Sequence, residues 1–315
     1  MTAAAIAIGL LQVLALVAIA PVVTGVMRTT RARLEGRFGP SPLQPWRDLR
    51  KLLRKERLIT EQTSWIFGVA PLLLVASTLV VVAVIPSVAT TTLLVDSVDL
   101  IGVIYLLLLG TVVLALAAID TGTAFGGMGS SRGMTIAALA EPAALLAIFA
   151  VSLRAGSSSL STIVEGALAD PAGLASPETL LAFGAVAVVT LAEAGRLPVD
   201  NPSTHLELTM IHEAMVLEYA GPDLALVEFA SSLRLTLFFG LIGTLFLPWG
   251  IATTDNIAAI AVGVVAWLVK VLALAVGVAA VEVGLAKLRL FRVPELLAAA
   301  FILSFLAVIV SFFLR

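Results

Sequence analysis

Long aliphatic runs recur along this chain with few polar interruptions, and their lengths set the first expectation. A bilayer core about 30 Å thick needs about 20 residues of helix. Runs of that order lie near residues 4–26, 66–86, 98–119, 134–153, 179–194, 233–253, 257–281 and 294–314, the fifth being the weakest. None alternates apolar and polar positions as barrel strands do, and backbone in lipid must satisfy its own hydrogen bonds, so the runs predict helices. The fold class expected is all-α, a polytopic membrane protein of about eight transmembrane helices forming one integral membrane domain over residues 1–315. The first run opens without a basic leader or a small-residue cleavage site, which predicts a retained helix.

Two breaks in the apolar pattern stand out. The first, about residues 28–61, carries Arg28, Arg31, Arg33, Arg37, Arg47, Arg50, Lys51, Arg54, Lys55 and Arg57. After a turn marked by Gly39, Pro40 and Pro42, with Ser41 as the expected N-cap, Leu43, Trp46, Leu49, Leu52 and Leu53 recur every three or four residues between basic positions. That spacing predicts an amphipathic interfacial helix, which suits either a polybasic anchor on anionic headgroups or a docking surface for a soluble partner. The second break, about residues 193–232, holds Glu193, Asp200, Glu207, Glu213 and Glu218 near Arg196, with a helix expected from Ser203 to Tyr219.

Composition settles the environment. With 60% hydrophobic and 13% charged residues, against about half and about a quarter in soluble domains, this is an integral membrane protein. The net charge of −2 hides an asymmetry: the first basic loop and Lys287, Arg289 and Arg292 all fall in odd-numbered loops. The positive-inside rule makes that side cytoplasmic and puts both termini and the loop from Arg154 to Glu178 on the outer face of a cytoplasmic (inner) membrane. A basic loop held between two spans is a poor nucleic-acid site. The chain has no cysteine, so it has no thiolate for an iron–sulfur cluster or a nickel site, and any such centre belongs to a partner.

Ionisable groups inside the spans carry the candidate chemistry. Glu141, followed by Pro142, lies about two turns into the fourth run, suited to a proton path or to a helix–helix hydrogen bond. Lys270 in the seventh run is either a proton carrier or an ammonium reaching a neighbouring carboxylate. Asp120 and Glu282 sit near span ends, where snorkelling to water is cheap. Gly126, Gly127 and Gly129 lack the Gly-Lys-Ser/Thr ending of a phosphate loop and read as a tight helix–helix connection. His205 and His212 lack the four-residue spacing of a zincin, which leaves polar contacts or proton sharing beside Glu207 and Glu213.

Taken together these segments resemble the complex I subunit 1 family. Arg37, Gly39, Pro40, Gln44, Pro45 and Asp48 are similar to its first-loop pattern, Arg132 and Glu141 to the pair heading its fourth helix, and Ala192, Glu193, Arg196, Pro198, Asp200, Glu207, Glu218 and Tyr219 to its acidic fifth-loop signature. The stretch DNPSTHLELTMIHEAMVLEYAGPDLALVEFA resembles the formate hydrogenlyase and group 4 nickel–iron hydrogenase branch, with Ser203 and His205 where the quinone-reducing branch has carboxylates. The resemblance implies a non-catalytic membrane subunit, without cofactor of its own. Its partners would be hydrogenase large and small subunits, iron–sulfur subunits and an antiporter-like membrane subunit, which would hold the nickel–iron site and the clusters. The residue pattern and the resemblance together give proton-path candidates Glu141, Glu193, Asp200, Glu207, Glu213, Glu218 and Lys270, and docking candidates Arg37, Gln44, Trp46, Arg47, Asp48, Arg50, Arg54 and Arg196. A quinone-site subunit of a respiratory NADH dehydrogenase and a stand-alone ion transporter are the alternatives.

Overall fold

A computed structural model describes residues 3–94, 98–200, 210–254, 256–286 and 288–313. Its elements are α1 (Ala3–Leu34), α2 (Gln44–Leu52), α3 (Trp65–Val84), α4 (Leu100–Asp120), α5 (Ala124–Ala155), α6 (Leu160–Ala169), α7 (Pro177–Glu193), α8 (His212–Val216), α9 (Gly221–Leu245), α10 (Ile257–Gly284) and α11 (Val293–Phe313), with short 3-10 turns at Pro171–Ala175 and Leu290–Arg292. Seven helices among the described residues are long and apolar enough to cross a membrane. The expected weakest span is α7, whose 17 residues give about 25 Å of helix.

Polar side chains start these helices where the apolar runs begin. Ser64, Asp99, Thr123 and Asn256 each accept a hydrogen bond from a backbone N–H in the first turn of α3, α4, α5 and α10. The helices form one bundle in which α5 packs against α4, α7 and α11, and α9 packs against α1, α3 and α10. Helix α9 is enclosed on nearly all sides, whereas α10 and α11 turn most of their surface outward.

The odd-numbered loops meet at one end. Arg57 Nε donates to Asp223 Oδ2 at 2.7 Å, joining the first loop to the start of α9. Leu288 N donates to Pro198 O at 2.9 Å, joining the seventh loop to the fifth. Gly221, at φ 56°, lets the chain pass so close to Glu56 O that any Cβ would overlap it. At the other end, residues 85–92 and 246–252 run as irregular chain, tied by a bridge between Ala89 and Ala252 and by Gln12, which donates to Thr91 O and accepts from Val88 N.

Several boundaries differ from expectation. Helix α2 starts at Gln44 with Leu43 at the N-cap and Pro45 in the first turn, so Ser41 does not cap it. The glycines at 126–129 belong to α5, not to a connection. A Cβ on Gly129 would stand 2.8 Å from Ala214 Cβ and 3.0 Å from Ile211 O, so the glycine face is the seat on which α8 rests. Helix α9 begins twelve residues before the apolar run, since Gly221 and Pro222 form its start and Asp223 in its first turn is paired with Arg57. Between Met210 and Tyr219 only His212–Val216 is helical, because Asp200 Oδ2 accepts from Ile211 N and His212 N and holds the chain in a turn. The remainder of the helix expected there, with His205 and Glu207, lies outside the described residues.

Candidate functional site

A buried ion pair joins α7 to α9. Arg234 Nη2 donates to Glu193 Oε2 at 2.8 Å and to Thr111 Oγ1 at 2.9 Å, and both charged side chains are about nine-tenths buried. A buried pair of this kind survives desolvation only with good geometry and further hydrogen bonds, and Thr111 supplies one. Glu141 on α5 is half-buried within electrostatic reach of both Glu193 and Arg234, and its Oε1 makes no hydrogen bond. Arg234 Nε is likewise buried without a partner.

Around this group lies an inner cavity of about 70 Å³, lined by Thr111, Glu193, Asp200, His212, Ser231 and Arg234 among others. That is room for a few water molecules. Its walls at Ala194, Gly195, Asp200, His212 and Ser231 are shared with an outer cavity of about 590 Å³ that reaches the odd-loop end. Charged groups of both signs line the outer space: Arg28, Arg31, Arg37 and Arg196 against Asp200, Glu213, Glu228 and Glu282. Polar and charged side chains therefore run from the odd-loop surface to the Arg234–Glu193 pair.

Arg196 lies 3.9 Å from Glu282 with both side chains buried, a loose pair that leaves Arg196 Nε and Glu282 Oε1 without hydrogen bonds. Burial pulls the Arg196 guanidinium below its ordinary pKa, while Glu282 acts to raise it and Arg28 and Arg31 to lower it. Glu282 corrects the snorkelling expectation: it is 2% exposed and faces the outer cavity, because Arg196 offers a nearer charge than water does. At the rim, hydrogen bonds from Arg37 and then Arg31 hold the Glu35 carboxyl below the usual carboxylate range.

The other sequence candidates separate. Asp200 is buried and Glu213 half-buried on the cavity wall, whereas Glu218 is exposed at the turn between α8 and α9, outside both cavities. Lys270 sits apart, with its ammonium 4.7 Å from the centre of the Trp249 ring. Of the two readings of Lys270, the neighbouring carboxylate is not found among the described residues, and the ammonium makes a cation–π contact instead. Arg132 donates to Met210 O at 3.2 Å and helps seat α8. On α2, Arg47 and Arg50 are exposed, as is Arg54 just beyond it, and Gln44 Nε2 donates to Asp48 Oδ1. Trp46 leans inward: its Nε1 donates to Ala18 O at 3.1 Å and its ring meets Phe229. Arg37 is exposed beside Glu35. Asp120 accepts from Ser64 N and Oγ. Among the described residues no three His, Asp or Glu side chains gather as a metal site.

Sequence reasoning missed Arg234, Glu228 and the inward-facing Glu282. The available signal was a lone arginine inside SSLRLTLFF, at the head of an apolar run.

Over residues 6–312 the chain matches the family described as NADH dehydrogenase. It is similar to formate hydrogenlyase subunit 4 of Escherichia coli (strain K12), 31% identical over 298 residues that cover 95% of this chain and 96% of the relative. Hydrogenase-4 component C of the same strain is 34% identical over 263 residues, 83% of this chain and 82% of that protein. A subunit of the NADH-quinone oxidoreductase of Syntrophotalea carbinolica is 32% identical over 236 residues, 70% of each chain. Among solved structures, a chain of the membrane-bound sulfane sulfur reductase, an archaeal respiratory membrane complex, superposes with a TM-score of 0.80 at 21% identity over 98% of this chain and 99% of that one. That likeness extends the shared fold to a complex of different chemistry.

Proposed function

The chain belongs to the NADH dehydrogenase subunit 1-like family, and from that membership we propose that it is the membrane subunit of a formate hydrogenlyase or related group 4 hydrogenase complex. In this reading it anchors cytoplasmic redox subunits and carries protons inward from the face on which they sit. The observation that carries the proton role is the continuity of ionisable groups from the outer cavity, through Asp200 and His212, to the Arg234–Glu193 pair and Glu141. Partly buried carboxylates beside a fixed cation hold protonation states that small changes in hydration or charge invert.

Each group has a stated task. Arg28, Arg31 and Arg196 keep the cavity carboxylates from repelling one another. His212 stands on the wall common to both cavities and joins them with a polar side chain. Arg234 donates a hydrogen bond to Glu193 and fixes its place, and Glu141, whose Oε1 makes no hydrogen bond, takes or releases the proton at the inner end. Anchoring falls to the basic surface of α2 and the loop after it, where Arg47, Arg50 and Arg54 face outward.

The test is Glu141→Gln in the assembled complex. The substitution keeps size and most hydrogen bonding but removes the exchangeable proton, so hydrogen evolution should persist while the pH gradient formed per hydrogen in sealed vesicles falls. Glu193→Gln should act likewise. A normal gradient in both variants leaves the subunit an anchor alone.

A further inference from the structure

A third cavity lies at the opposite, even-loop end and shares none of its lining with the other two. It is a groove of about 520 Å³, within the roughly 300–1,000 Å³ of small-ligand sites. Thr179, Leu180 and Phe183 of α7, Leu274 of α10 and the chain from Phe246 to Trp249 form its sides, and the 3-10 turn Pro171–Ala175 closes one end. Phe183 and Phe246 meet edge to face at 5.4 Å and fix one wall. Leu180 and Trp249 are 58% and 52% exposed at its edge. In a bundle that crosses a membrane, such an opening faces hydrocarbon, and only an apolar chain fills it without a desolvation cost.

A smaller cavity of about 130 Å³ shares Ala167, Leu174 and Thr179 with the groove and extends to Arg154 and Asp170. Arg154 closes the last turn of α5, at the level where that span ends, and pairs with Asp170. Its guanidinium lies against Gly173, in space that a Cβ there would fill, so the turn that walls the groove leaves room for the cation. Both charged side chains remain partly open, 33% and 59% exposed. A cation and a carboxylate, side by side in the small cavity that shares part of its wall with the apolar groove, complement a ligand that carries an anion, a cation and a long hydrocarbon tail.

We propose that this groove is a binding site for a zwitterionic aminophospholipid, with one acyl chain between α7 and α10, its phosphate on Arg154 and its ammonium on Asp170. The site is independent of the proton route, which occupies the other end of the bundle.

A photoactivatable phosphatidylethanolamine carrying a diazirine in one acyl chain is the probe, applied to the intact complex in its membrane. Label should concentrate in peptides covering residues 167–183 and 246–249. It should fall about tenfold, ~1.4 kcal/mol in binding, in Ala175→Trp, which fills the groove from an exposed position. Arg154→Gln should lose the preference for phosphatidylethanolamine over a phosphatidylglycerol analogue while co-purification shows the complex intact. The proposal is overturned if Ala175→Trp labels like wild type, or if label spreads evenly to outward residues such as Val262 and Val265 of α10. It is equally overturned if the two headgroups label wild type alike, or if these peptides cross-link to a neighbouring membrane subunit instead of lipid.

Discussion

Replacing Arg234 by Met tests the buried pair at the centre of the site. Met keeps the length of the side chain and removes its charge, leaving Glu193 about nine-tenths buried with neither partner nor full hydration. Breaking a buried pair from one side costs about 3–5 kcal/mol, mostly as the penalty on the orphaned ion. Glu193→Gln leaves the cation with Thr111 as an acceptor and should cost less, about 1.5–3 kcal/mol for one charge-assisted hydrogen bond. In the double variant no orphaned carboxylate remains at Glu193, so its cost should fall below the sum by about 0.5–3 kcal/mol. Titration of the four proteins with sodium dodecyl sulfate in mixed micelles, followed by tryptophan fluorescence, gives the cycle. Additivity within about 0.5 kcal/mol, or a cost of Arg234→Met under about 1 kcal/mol, would refute the reasoning. Either result would mean that the cavity hydrates both groups and the pair is a surface-like contact.

Other outcomes follow from features away from that pair. Gly129→Leu should cost at least about 1–3 kcal/mol by overpacking against Ala214 and Ile211, whereas Gly127→Leu, where a Cβ meets nothing within 4 Å, should stay within about 0.5 kcal/mol; the same titration separates them. Reversing Arg47, Arg50 and Arg54 to Glu should release soluble partners into the supernatant of pelleted membranes while this chain stays in the pellet, and retained partners would reduce α2 to a lipid anchor. Cysteines at Ser158 and Ser41, exposed at opposite ends, should react with an impermeant thiol reagent from outside and only after lysis, respectively; the reverse pattern would invert the topology.

Among the described residues seven of the eight expected spans are long and apolar enough to cross a membrane, and the order of the long helices is legible in the sequence because hydrocarbon demands long apolar runs and tolerates little else. Their ends are not. Hydropathy marks where lipid contact stops, but α5 and α9 continue beyond it, one on a glycine face pressed against α8, the other through a first turn whose Asp223 is neutralised by Arg57. With the sixth span starting at residue 233, Arg234 reads as a boundary residue. In the bundle it is well inside its helix and reaches Glu193, 41 positions away in sequence. Pairings of that kind depend on which helices are neighbours, and a single sequence carries no record of it. Glu141, Glu193, Asp200, His212 and Glu213 are legible as candidates because charge is rare in such a chain. Glu218 and Lys270 share that rarity and yet stand elsewhere, one at a surface turn, the other beneath an indole ring.

The tie between Arg57 and Asp223 has a mechanical side. Asp223 and Arg234 stand on the same helix, about 16 Å apart along its axis, and Pro222 is confined to the first turn of α9, so no proline interrupts the rod between them. An α-helix resists stretching because every turn is cross-linked by its own hydrogen bonds. A displacement applied to the first loop at Arg57 therefore arrives at Arg234 as a sliding of one helix past another, since Glu193 is carried by α7 and does not share the load. Hydrogen bonds lose most of their strength over a fraction of an ångström to an ångström of misalignment. A pull on the loop that reached α9 would thus be felt at the buried guanidinium.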